Sequence, residues 1–546
     1  MKNRASKWQR YWPDFVPKQF DVLKPLSEYM RDIAEKFPER IAIRFYGKDF
    51  SYQELNDAVD RCACGLVKKG VKRGDRVALH MQNCPQFVIA FFGILRSGAV
   101  VVAINPMFKH TEIEHELSDA GAETYIGQDT LYPEVKKIRD RVKLENIFLT
   151  SLYDYLPPES HLPLPPEAEE RKQTFSNTLN FSELLQEVSV QPICMIKDMH
   201  EDLALLQYTG GTTGLPKGAM ISNYVLTYAS AGSAQWFNHN NKDVHLAVTP
   251  FFHMTGMVQS MCSPLYSGGQ LVILSRFVPE VVAEAISQYG CTAWVAAPTM
   301  LIALYSLPNI QHYDLASFRF ICTGGAPISI EIQNNIKTYS PEAVIVDGYG
   351  LTESVSQGGI ITPLGRYKPG FTGVPHLNEV KIVDIESGKK ELPPGQEGEI
   401  LIKGPVLMKG YWNKPEETRN AIKKGWLYSG DIGLMDEEGY VKFIGRKKEM
   451  IICSGYNVYP VEVENMLYKH PAVAEVAVVG VPDEYRGESP KAFIILKKEF
   501  KEKITEDVII DWCKKNMATY KRPREVEFKE SLPKSTAGKI LKRLLV

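Results

Sequence analysis

The sequence Tyr-Thr-Gly-Gly-Thr-Thr-Gly-Leu-Pro-Lys-Gly occupies residues 208–218 and follows the apolar run 203–206. Its glycines allow backbone N–H groups to approach a polyphosphate without obstruction by a Cβ atom. The threonine hydroxyls add hydrogen-bond donors, and the lysine adds positive charge. The segment therefore predicts a turn that binds nucleotide phosphates, although a plain glycine-rich turn is the alternative for this segment alone. The predicted phosphate contacts are Thr209, Gly210, Gly211, Thr212, Thr213, Gly214 and Lys217.

Length, composition and charge exclude several classes of protein. A chain of 546 residues is too long for one hydrophobic core, so we expect two or more packed units. Hydrophobic residues make up 44% of the chain and charged residues 24%, and the net charge is −1. These values indicate a globular protein with no general attraction to nucleic acid or anionic lipid. The glycine-rich turn also lacks the GxxxxGK[ST] spacing, which argues against a kinase or GTPase mechanism.

The cysteines and the N-terminal residues favour a cytoplasmic location. The nine cysteines are scattered without the spacing of a zinc site, so we expect reduced, mostly buried thiols. Residues 1–12 contain no apolar core of signal-peptide length. The most apolar stretch, residues 87–104, is interrupted by Arg96-Ser97-Gly98 and falls short of the about 20 residues that span a bilayer. We therefore expect no transmembrane segment.

Alternating helix and strand patterns predict an α/β fold. Residues 26–37 show a helical period and residues 41–45 a strand pattern. Ser51 and Glu54 then have the spacing of a helix capping box. Strands that alternate with helices imply parallel sheets, and similar signals run from residue 203 to about 443.

The predicted architecture has two parts. A large N-terminal domain, residues 1–445, contains several subdomains in which mixed or parallel sheets are packed by helices. A small, mobile α+β domain, residues 446–546, forms a C-terminal cap, and we expect a helix at residues 506–516 within it. The polar, proline-rich segment 151–192 is predicted to be a surface excursion because it cannot build a core.

The phosphate-binding turn resembles the Tyr-Thr-Ser-Gly-Thr-Thr-Gly-x-Pro-Lys-Gly signature of the adenylate-forming superfamily. This superfamily contains acyl-CoA synthetases, aryl-CoA ligases, luciferases and stand-alone adenylation domains. Gly210 replaces the usual serine, a substitution similar to one found among fatty acyl-CoA synthetases. The resemblance extends from residue 50 to residue 539, with the motifs in the family's order. It implies an AMP-forming ligase that uses ATP, Mg2+ and coenzyme A.

Two further segments resemble the family's adenine and magnesium motifs. Thr-Gly-Gly-Ala-Pro at residues 323–327 is similar to the turn that lines the adenine and acyl pockets. In the segment 347–354 the resemblance implies that Tyr349 stacks on adenine and that Glu353, with Thr209, holds the magnesium ion. The nucleotide contacts implied by these segments are Gly324, Gly325, Ala326, Asp347, Gly348, Tyr349, Gly350 and Thr352.

Later motifs resemble those that bind ribose and complete the catalytic site. Asp431 corresponds to the aspartate that accepts hydrogen bonds from both ribose hydroxyls. Arg446 corresponds to a second residue that contacts the ribose. A solvated arginine in a charged run is the alternative for Arg446. Lys539 lies in a C-terminal loop like the one whose lysine bridges the substrate carboxylate and the α-phosphate.

The family resemblance also implies a moving cap and a CoA site. In the family the cap rotates about a hinge two residues after the arginine, which here is Lys448. The rotation brings a loop that resembles residues 453–457 to the pantetheine tunnel, with Ser454 and Gly455 as the expected CoA contacts.

An aromatic and methionine-rich segment is predicted to bind the acid. Residues 250–257 match the family segment that gates and lines the acyl pocket, and such side chains form an adaptable apolar slot. His253 is expected to pack against or gate the carboxylate end rather than act as a base, since a carboxylate is already ionised near neutral pH. The predicted substrate contacts are Phe252, His253, Met257 and Gly325, and the catalytic candidates are Thr209, His253, Glu353 and Lys539.

These motifs favour an acyl-CoA synthetase for a medium- or long-chain fatty acid. An aryl-CoA ligase, a luciferase-type oxidase, an amino-acid adenylation enzyme and a catalytically silent nucleotide-binding regulator are the alternatives. An amino-acid enzyme would carry an aspartate at the position of His253, and a silent regulator would lack a phosphate, magnesium or lysine position. The expected partners are the acid, ATP and CoA, with a homodimer as a family-level expectation and peripheral membrane contact left open.

Overall fold

The computed structural model describes residues 7–166, 172–186, 193–209, 215–324, 330–356, 359–534 and 540–545. The predicted α/β class is confirmed, with a large N-terminal domain and a small C-terminal domain. Helix α2 begins at a capping box in which the Ser51 side chain accepts from the Glu54 backbone N–H, as the sequence predicts. The α-helices are α1 (Leu26–Lys36), α2 (Tyr52–Lys68), α3 (Pro85–Arg96), α4 (His110–Ala120), α5 (Tyr132–Lys136), α6 (Asn223–Trp236), α7 (Ser263–Tyr266), α8 (Pro279–Tyr289), α9 (Pro298–Tyr305), α10 (Ile330–Tyr339), α11 (Pro415–Ala421), α12 (Pro460–Leu467) and α13 (Glu506–Asn516).

Strands form four sheets within the described ranges. In the large domain the strands are β1 (Ile41–Phe45), β2 (Lys48–Ser51), β3 (Arg76–His80), β4 (Val100–Ala103), β5 (Thr124–Gln128), β6 (Asn146–Thr150), β7 (Leu179–Asn180), β8 (Leu203–Thr209), β9 (Lys217–Ser222), β10 (Val244–Ala247), β11 (Gln270–Ile273), β12 (Ala293–Ala296), β13 (Phe320–Gly324), β14 (Val344–Tyr349), β15 (Ile360–Ile361), β16 (Val374–Pro375), β17 (Glu379–Val383), β18 (Gly398–Lys403), β19 (Ile422–Lys423), β20 (Trp426–Met435) and β21 (Val441–Arg446). The remaining strands are β22 (Ile451–Cys453), β23 (Tyr456–Val458), β24 (Val473–Asp483), β25 (Gly487–Leu496) and β26 (Glu525–Phe528).

Two large sheets with parallel centres form the scaffold. One has the order β7-β6-β5-β3-β4-β8-β9, in which only the last pair is antiparallel. The other has the order β16-β15-β14-β13-β12-β10-β11-β1-β2 and is parallel from β14 to β1. Ligands of open parallel sheets bind beyond the carboxyl ends of the strands. We therefore expect a ligand site beyond the carboxyl ends of β8, β13 and β14.

Two smaller sheets follow. Strands β17 to β21 form an antiparallel sheet in which β20 pairs with both β18 and β21. Strands β22 to β26 form a sheet that is packed by α12 and α13 around a separate apolar core, which includes Ile451, Val463 and Ile509. Helix α13 occupies residues 506–516, as the sequence predicts.

The polar segment 151–192 contributes more structure than its composition indicates. Its described residues include the edge strand β7, which pairs in parallel with β6. Phe181 and Leu184 are buried, and Leu184 lies against α2 where Gly65 leaves room for its backbone. Isolated apolar residues in a proline-rich run give no periodic signal, so this packing is not predictable from the pattern. Across the described ranges, no helix has both the length and the apolar content needed to cross a bilayer.

Candidate active site

The phosphate-binding turn connects two antiparallel strands. Thr209 ends β8, Lys217 begins β9, and the two residues are paired in the sheet register. Helix α4 holds both sides of the turn, because the Tyr208 hydroxyl donates to Asp119 Oδ2 at 2.7 Å and His115 Nε2 lies 2.9 Å from the Pro216 carbonyl oxygen. The predicted contacts Gly210, Gly211, Thr212, Thr213 and Gly214 lie outside the described residues.

Strands β13 and β14 approach each other closely where the adenine pocket is predicted. Gly324 is paired with Gly348, and a Cβ atom on Gly324 would lie 2.5 Å from the Gly348 carbonyl oxygen. A larger residue at position 324 would therefore separate the two strands. Burial raises the pKa of the neighbouring Asp347 carboxyl to about 8. The predicted contacts Gly325 and Ala326 lie outside the described residues.

The predicted adenine and ribose residues are in direct contact. The Tyr349 hydroxyl donates to Asp431 Oδ2 at 2.7 Å, and the Tyr349 ring stacks on Phe443 with 5.8 Å between ring centroids. Asp431 pairs with Arg446 in the register of β20 and β21, and Arg446 Nε lies 3.7 Å from Asp431 Oδ1. Burial, together with the Asp431 carboxylate, raises the pKa of Tyr349 well above its ordinary value. The phenol therefore stays a hydrogen-bond donor at physiological pH.

Glu353 lies in a single 3-10 turn, Thr352–Ser354, just beyond β14. The next two residues, Val355 and Ser356, both have positive φ angles, 54° and 66°. Such a backbone conformation is costly for non-glycine residues and is concentrated at functional sites. It turns the chain back so that the Glu353 carbonyl oxygen accepts from the Met408 N–H at 2.9 Å.

A tyrosine joins Glu353 to the lysine of the phosphate-binding turn. The Tyr411 hydroxyl donates to Glu353 Oε1 at 2.7 Å, and Lys217 Nζ lies 5.1 Å from the centroid of the Tyr411 ring. Thus Lys217 and Glu353, which are far apart in the sequence, contact the ring and the hydroxyl of one aromatic side chain. A carboxylate that accepts one hydrogen bond retains lone pairs that can bind a cation, so Glu353 suits a magnesium ion that keeps most of its waters.

The predicted acid-binding segment is connected to this region through its backbone and side chains. The Phe252 carbonyl oxygen accepts from Gln207 Nε2 at 3.1 Å, and the Ser356 hydroxyl donates to Thr255 Oγ1 at 3.0 Å. Met257 is fully buried at the start of a π-helical stretch, Gly256–Cys262. π-Helical turns are rare and frequently occur at functional sites.

His253 stands at the start of this segment as a local turn residue. Its backbone N–H donates to the Pro250 carbonyl oxygen, and its Nδ1 accepts from the Thr255 N–H at 3.3 Å. These contacts hold the imidazole within the turn, and a role as a gate or packing group stays a prediction.

The predicted hinge and CoA residues lie just beyond β21. Lys448 is in a single turn, Lys447–Glu449, between β21 and β22. Ser454 and Gly455 form the two-residue connection of the β22–β23 hairpin, and their φ angles are 52° and 80°. This pattern is that of a type I′ turn. Lys539 lies outside the described residues, between Lys534 and Ile540, which form an antiparallel bridge.

A separate group of potential metal ligands lies at the other end of β10. His239, Asp243 and His245 are close enough to hold an ion. However, Asp243 Oδ2 already accepts from Arg319 Nη2 at 2.8 Å and from the Asn240 backbone N–H at 3.0 Å. These bonds neutralise the carboxylate, so the group fits a structural ion pair rather than a metal site.

Sequence reasoning missed several residues that contact the predicted site, among them His115, Asp119, Tyr411 and Phe443. Tyr411 stands in Gly410-Tyr411-Trp412, a segment whose aromatic residues and glycine give a weak signal for a turn near a ligand. The other three lie on a regular helix or strand, where the sequence gives no signal of function.

The chain resembles known proteins over nearly its full length. The model of the AMP-binding enzyme family matches residues 30–412, and that of the AMP-binding enzyme C-terminal domain matches residues 462–539. A long-chain-fatty-acid–CoA ligase of Bacillus subtilis (strain 168) is 36% identical over 99% of this chain and 97% of its own. A long-chain-fatty-acid–CoA ligase of Salmonella typhimurium is 33% identical over 98% of this chain and 97% of its own. The solved structure of an anthranilate CoA ligase in complex with anthranoyl-AMP is 27% identical, with a TM-score of 0.84, over 96% of this chain and 97% of that one.

Proposed function

The chain belongs to the AMP-binding enzyme family, and we propose that it joins a medium- or long-chain fatty acid to coenzyme A through an acyl-AMP intermediate. The relatives named as long-chain-fatty-acid–CoA ligases support this substrate class. Gly210, in the position where the family signature has serine, supports it as well.

One observation carries the proposal: side-chain contacts and one short stretch of chain join the candidate phosphate, magnesium and ribose residues. Lys217 contacts the Tyr411 ring, and Tyr411 bonds to Glu353. The same short turn that carries Glu353 follows Tyr349, which bonds to Asp431. A nucleotide placed along these residues would meet a cation and donors at its phosphates and a carboxylate at its ribose.

In the proposed first step, a carboxylate oxygen of the acid attacks the α-phosphorus of ATP. The bond from that phosphorus to the bridging oxygen breaks, and diphosphate leaves. Both reactants are anionic, so the site must supply positive charge where negative charge accumulates. Lys217 and Lys539 are proposed to do so, while Tyr349 and Asp431 orient the adenosine.

Magnesium is proposed to be held by Glu353 and Thr209. The Glu353 carboxylate offers hard oxygen ligands, and Thr209 ends β8 at the base of the phosphate-binding turn. When bound there, the ion would supply positive charge that offsets the negative charge of the phosphates. The Tyr411 hydroxyl bonds to Glu353 Oε1 and would orient the side chain for that purpose.

In the proposed second step, the CoA thiol releases its proton to solvent and its sulfur attacks the acyl carbonyl carbon to form the thioester bond. The bond from that carbon to the AMP oxygen breaks, and AMP leaves. The cap, residues 446–546, would rotate about Lys448 so that Ser454 and Gly455 replace Lys539 at the site. The separate apolar core of β22–β26 with α12 and α13 supports a unit that can move as one body.

The acid is proposed to lie along the segment that contains Phe252, His253 and Met257. Buried methionine and aromatic side chains suit a flexible alkyl chain. His253 is proposed to gate the carboxylate end.

A diphosphate-release assay over straight-chain, branched and aromatic acids, each with and without CoA, tests the proposal. We expect the highest kcat/KM for straight-chain acids of medium or long chain length. A preference for benzoate- or coumarate-like acids would instead indicate an aryl-CoA ligase. The anthranilate CoA ligase whose structure is similar is named for an aryl acid. Absence of diphosphate release with every acid would contradict the function. The homodimer and the cytoplasmic location stay predictions.

A further inference from the structure

Tyr411 contacts two candidate site residues that come from different parts of the fold. Its hydroxyl donates to Glu353 Oε1 at 2.7 Å, and its ring faces Lys217 Nζ at 5.1 Å from the centroid. The ring packs against the main hydrophobic core, so it is partly buried and cannot swing freely. The two contacts use different parts of one side chain, which allows them to be removed one at a time.

The backbone around Tyr411 is tied to both partners. Residues 409–412 run antiparallel to β9, the strand that Lys217 begins, with hydrogen bonds from the Trp412 N–H to the Gly218 carbonyl oxygen and from the Met220 N–H to the Gly410 carbonyl oxygen. The Met408 N–H donates to the Glu353 carbonyl oxygen. The segment 408–412 therefore fixes the distance between β9 and the Glu353 turn.

A second hydrogen bond anchors the backbone of Tyr411. The Tyr411 N–H donates to Thr418 Oγ1 at 2.8 Å, and Thr418 in turn bonds to the Lys414 carbonyl oxygen at 2.8 Å. Gly410, with a φ of 146°, makes this approach feasible, because a Cβ there would lie 2.6 Å from Thr418 Cγ2. The protein's own hydrogen bonds thus hold the backbone of the tyrosine in place.

The two contacts have clear chemical consequences. A phenol that donates to one carboxylate oxygen fixes the rotamer of Glu353 and leaves the other oxygen for a cation. The negative face of the ring attracts the Lys217 ammonium and limits the positions it samples. Groups that orient a metal ligand in this way typically change metal affinity by about 10- to 100-fold when removed.

We propose that Tyr411 is a positioning residue that couples the magnesium carboxylate Glu353 to the phosphate lysine Lys217. The inference rests on the proposed function, because it assumes that these two residues serve magnesium and phosphate. It goes further by assigning the coupling to Tyr411, which is not one of the site residues predicted from the sequence. The hydroxyl positions the magnesium carboxylate Glu353, and the ring positions the phosphate lysine Lys217.

The test measures binding of α,β-methylene-ATP by titration calorimetry at increasing free Mg2+. In Tyr411→Phe, which keeps the ring, we expect the half-saturating Mg2+ concentration to rise by about tenfold, with Mg2+-free affinity within about twofold of the wild type. In Tyr411→Leu, which also loses the ring, we expect Mg2+-free affinity to fall by a further two- to fivefold, approximately. Tyr305→Phe, which removes a buried hydroxyl bonded to Ser340 remote from these residues, is the matched control.

A double variant separates positioning from general damage. If Tyr411 acts through Glu353, then Tyr411→Phe in a Glu353→Gln background causes no further loss of Mg2+ dependence. If the affinity of Tyr411→Phe for α,β-methylene-ATP depended on Mg2+ as it does in the wild type, the inference would be overturned. An equal loss of this affinity with and without Mg2+ would also overturn it. If Tyr411→Phe shows the expected loss of Mg2+-dependent nucleotide binding but the wild-type protein forms no CoA thioester, the proposed function fails and the role of Tyr411 stands.

Discussion

The hydroxyl of Tyr349 lies 2.7 Å from Oδ2 of Asp431 and joins the end of a parallel strand in one sheet to an antiparallel strand in another. The contact fixes the candidate adenine platform relative to the candidate ribose carboxylate. It also leaves Asp431 Oδ1 beside Arg446. Three side chains predicted separately from sequence therefore form one unit.

Removing the Tyr349 hydroxyl should weaken nucleotide binding without removing the stacking surface. A hydrogen bond to a charged group is worth about 1.5–3 kcal/mol, so Tyr349→Phe is expected to raise the Kd for AMP by about tenfold or more. Fluorescence titration of AMP measures this change, with Tyr305→Phe as the control. An unchanged Kd would show that the hydrogen bond does not organise the ribose site.

The Asp347 carboxyl should make stability depend on pH. Its pKa is raised from 3.8 to about 8 by burial, so the folded state holds a proton that the unfolded state releases. The stabilisation by that proton is complete below about pH 3.8 and is lost as the pH rises to about 8. Asp347→Asn should therefore raise Tm more at pH 8 than at pH 5. Thermal melts at both pH values measure this, and an equal shift at the two values would contradict the assignment.

His115 should hold the phosphate-binding turn through its bond to the Pro216 carbonyl oxygen. A single hydrogen bond of this type contributes about 0.5–1.5 kcal/mol. His115→Ala is therefore expected to raise the KM for ATP by about two- to tenfold while kcat changes less. The exposed His312 provides a control substitution to alanine. A decrease in kcat with an unchanged KM would show that His115 acts in the chemical step and not in ATP binding.

Gly455 should separate the two half-reactions. A Cβ at Gly455 meets no atom within 4 Å, although its φ of 80° adds strain. Gly455→Trp should therefore spare acid-dependent exchange of diphosphate into ATP and block thioester formation. Gly395, with a φ of 84° and equally open surroundings, is the matched control for the strain. If Gly455→Trp formed thioester at the wild-type rate, the CoA assignment would be wrong.

Local signals and family motifs account for most of the fold and much of the site. The capping box at Ser51 and the helix at residues 506–516 follow from short-range patterns and are confirmed. The contact between Tyr411 and Glu353 spans 58 residues of sequence and depends on how the 408–412 segment lies along β9. No periodicity records such an alignment, so this contact requires the tertiary structure.

In the proposed reaction, a carboxylate oxygen of the acid attacks the α-phosphorus of ATP. Incubation of the protein with MgATP, CoA and a fatty acid that carries ¹⁸O in its carboxyl group tests it, with mass spectrometry of the products. We expect ¹⁸O in AMP and unlabelled diphosphate. Formation of ADP with ¹⁸O in inorganic phosphate, or of AMP without the label, would contradict it.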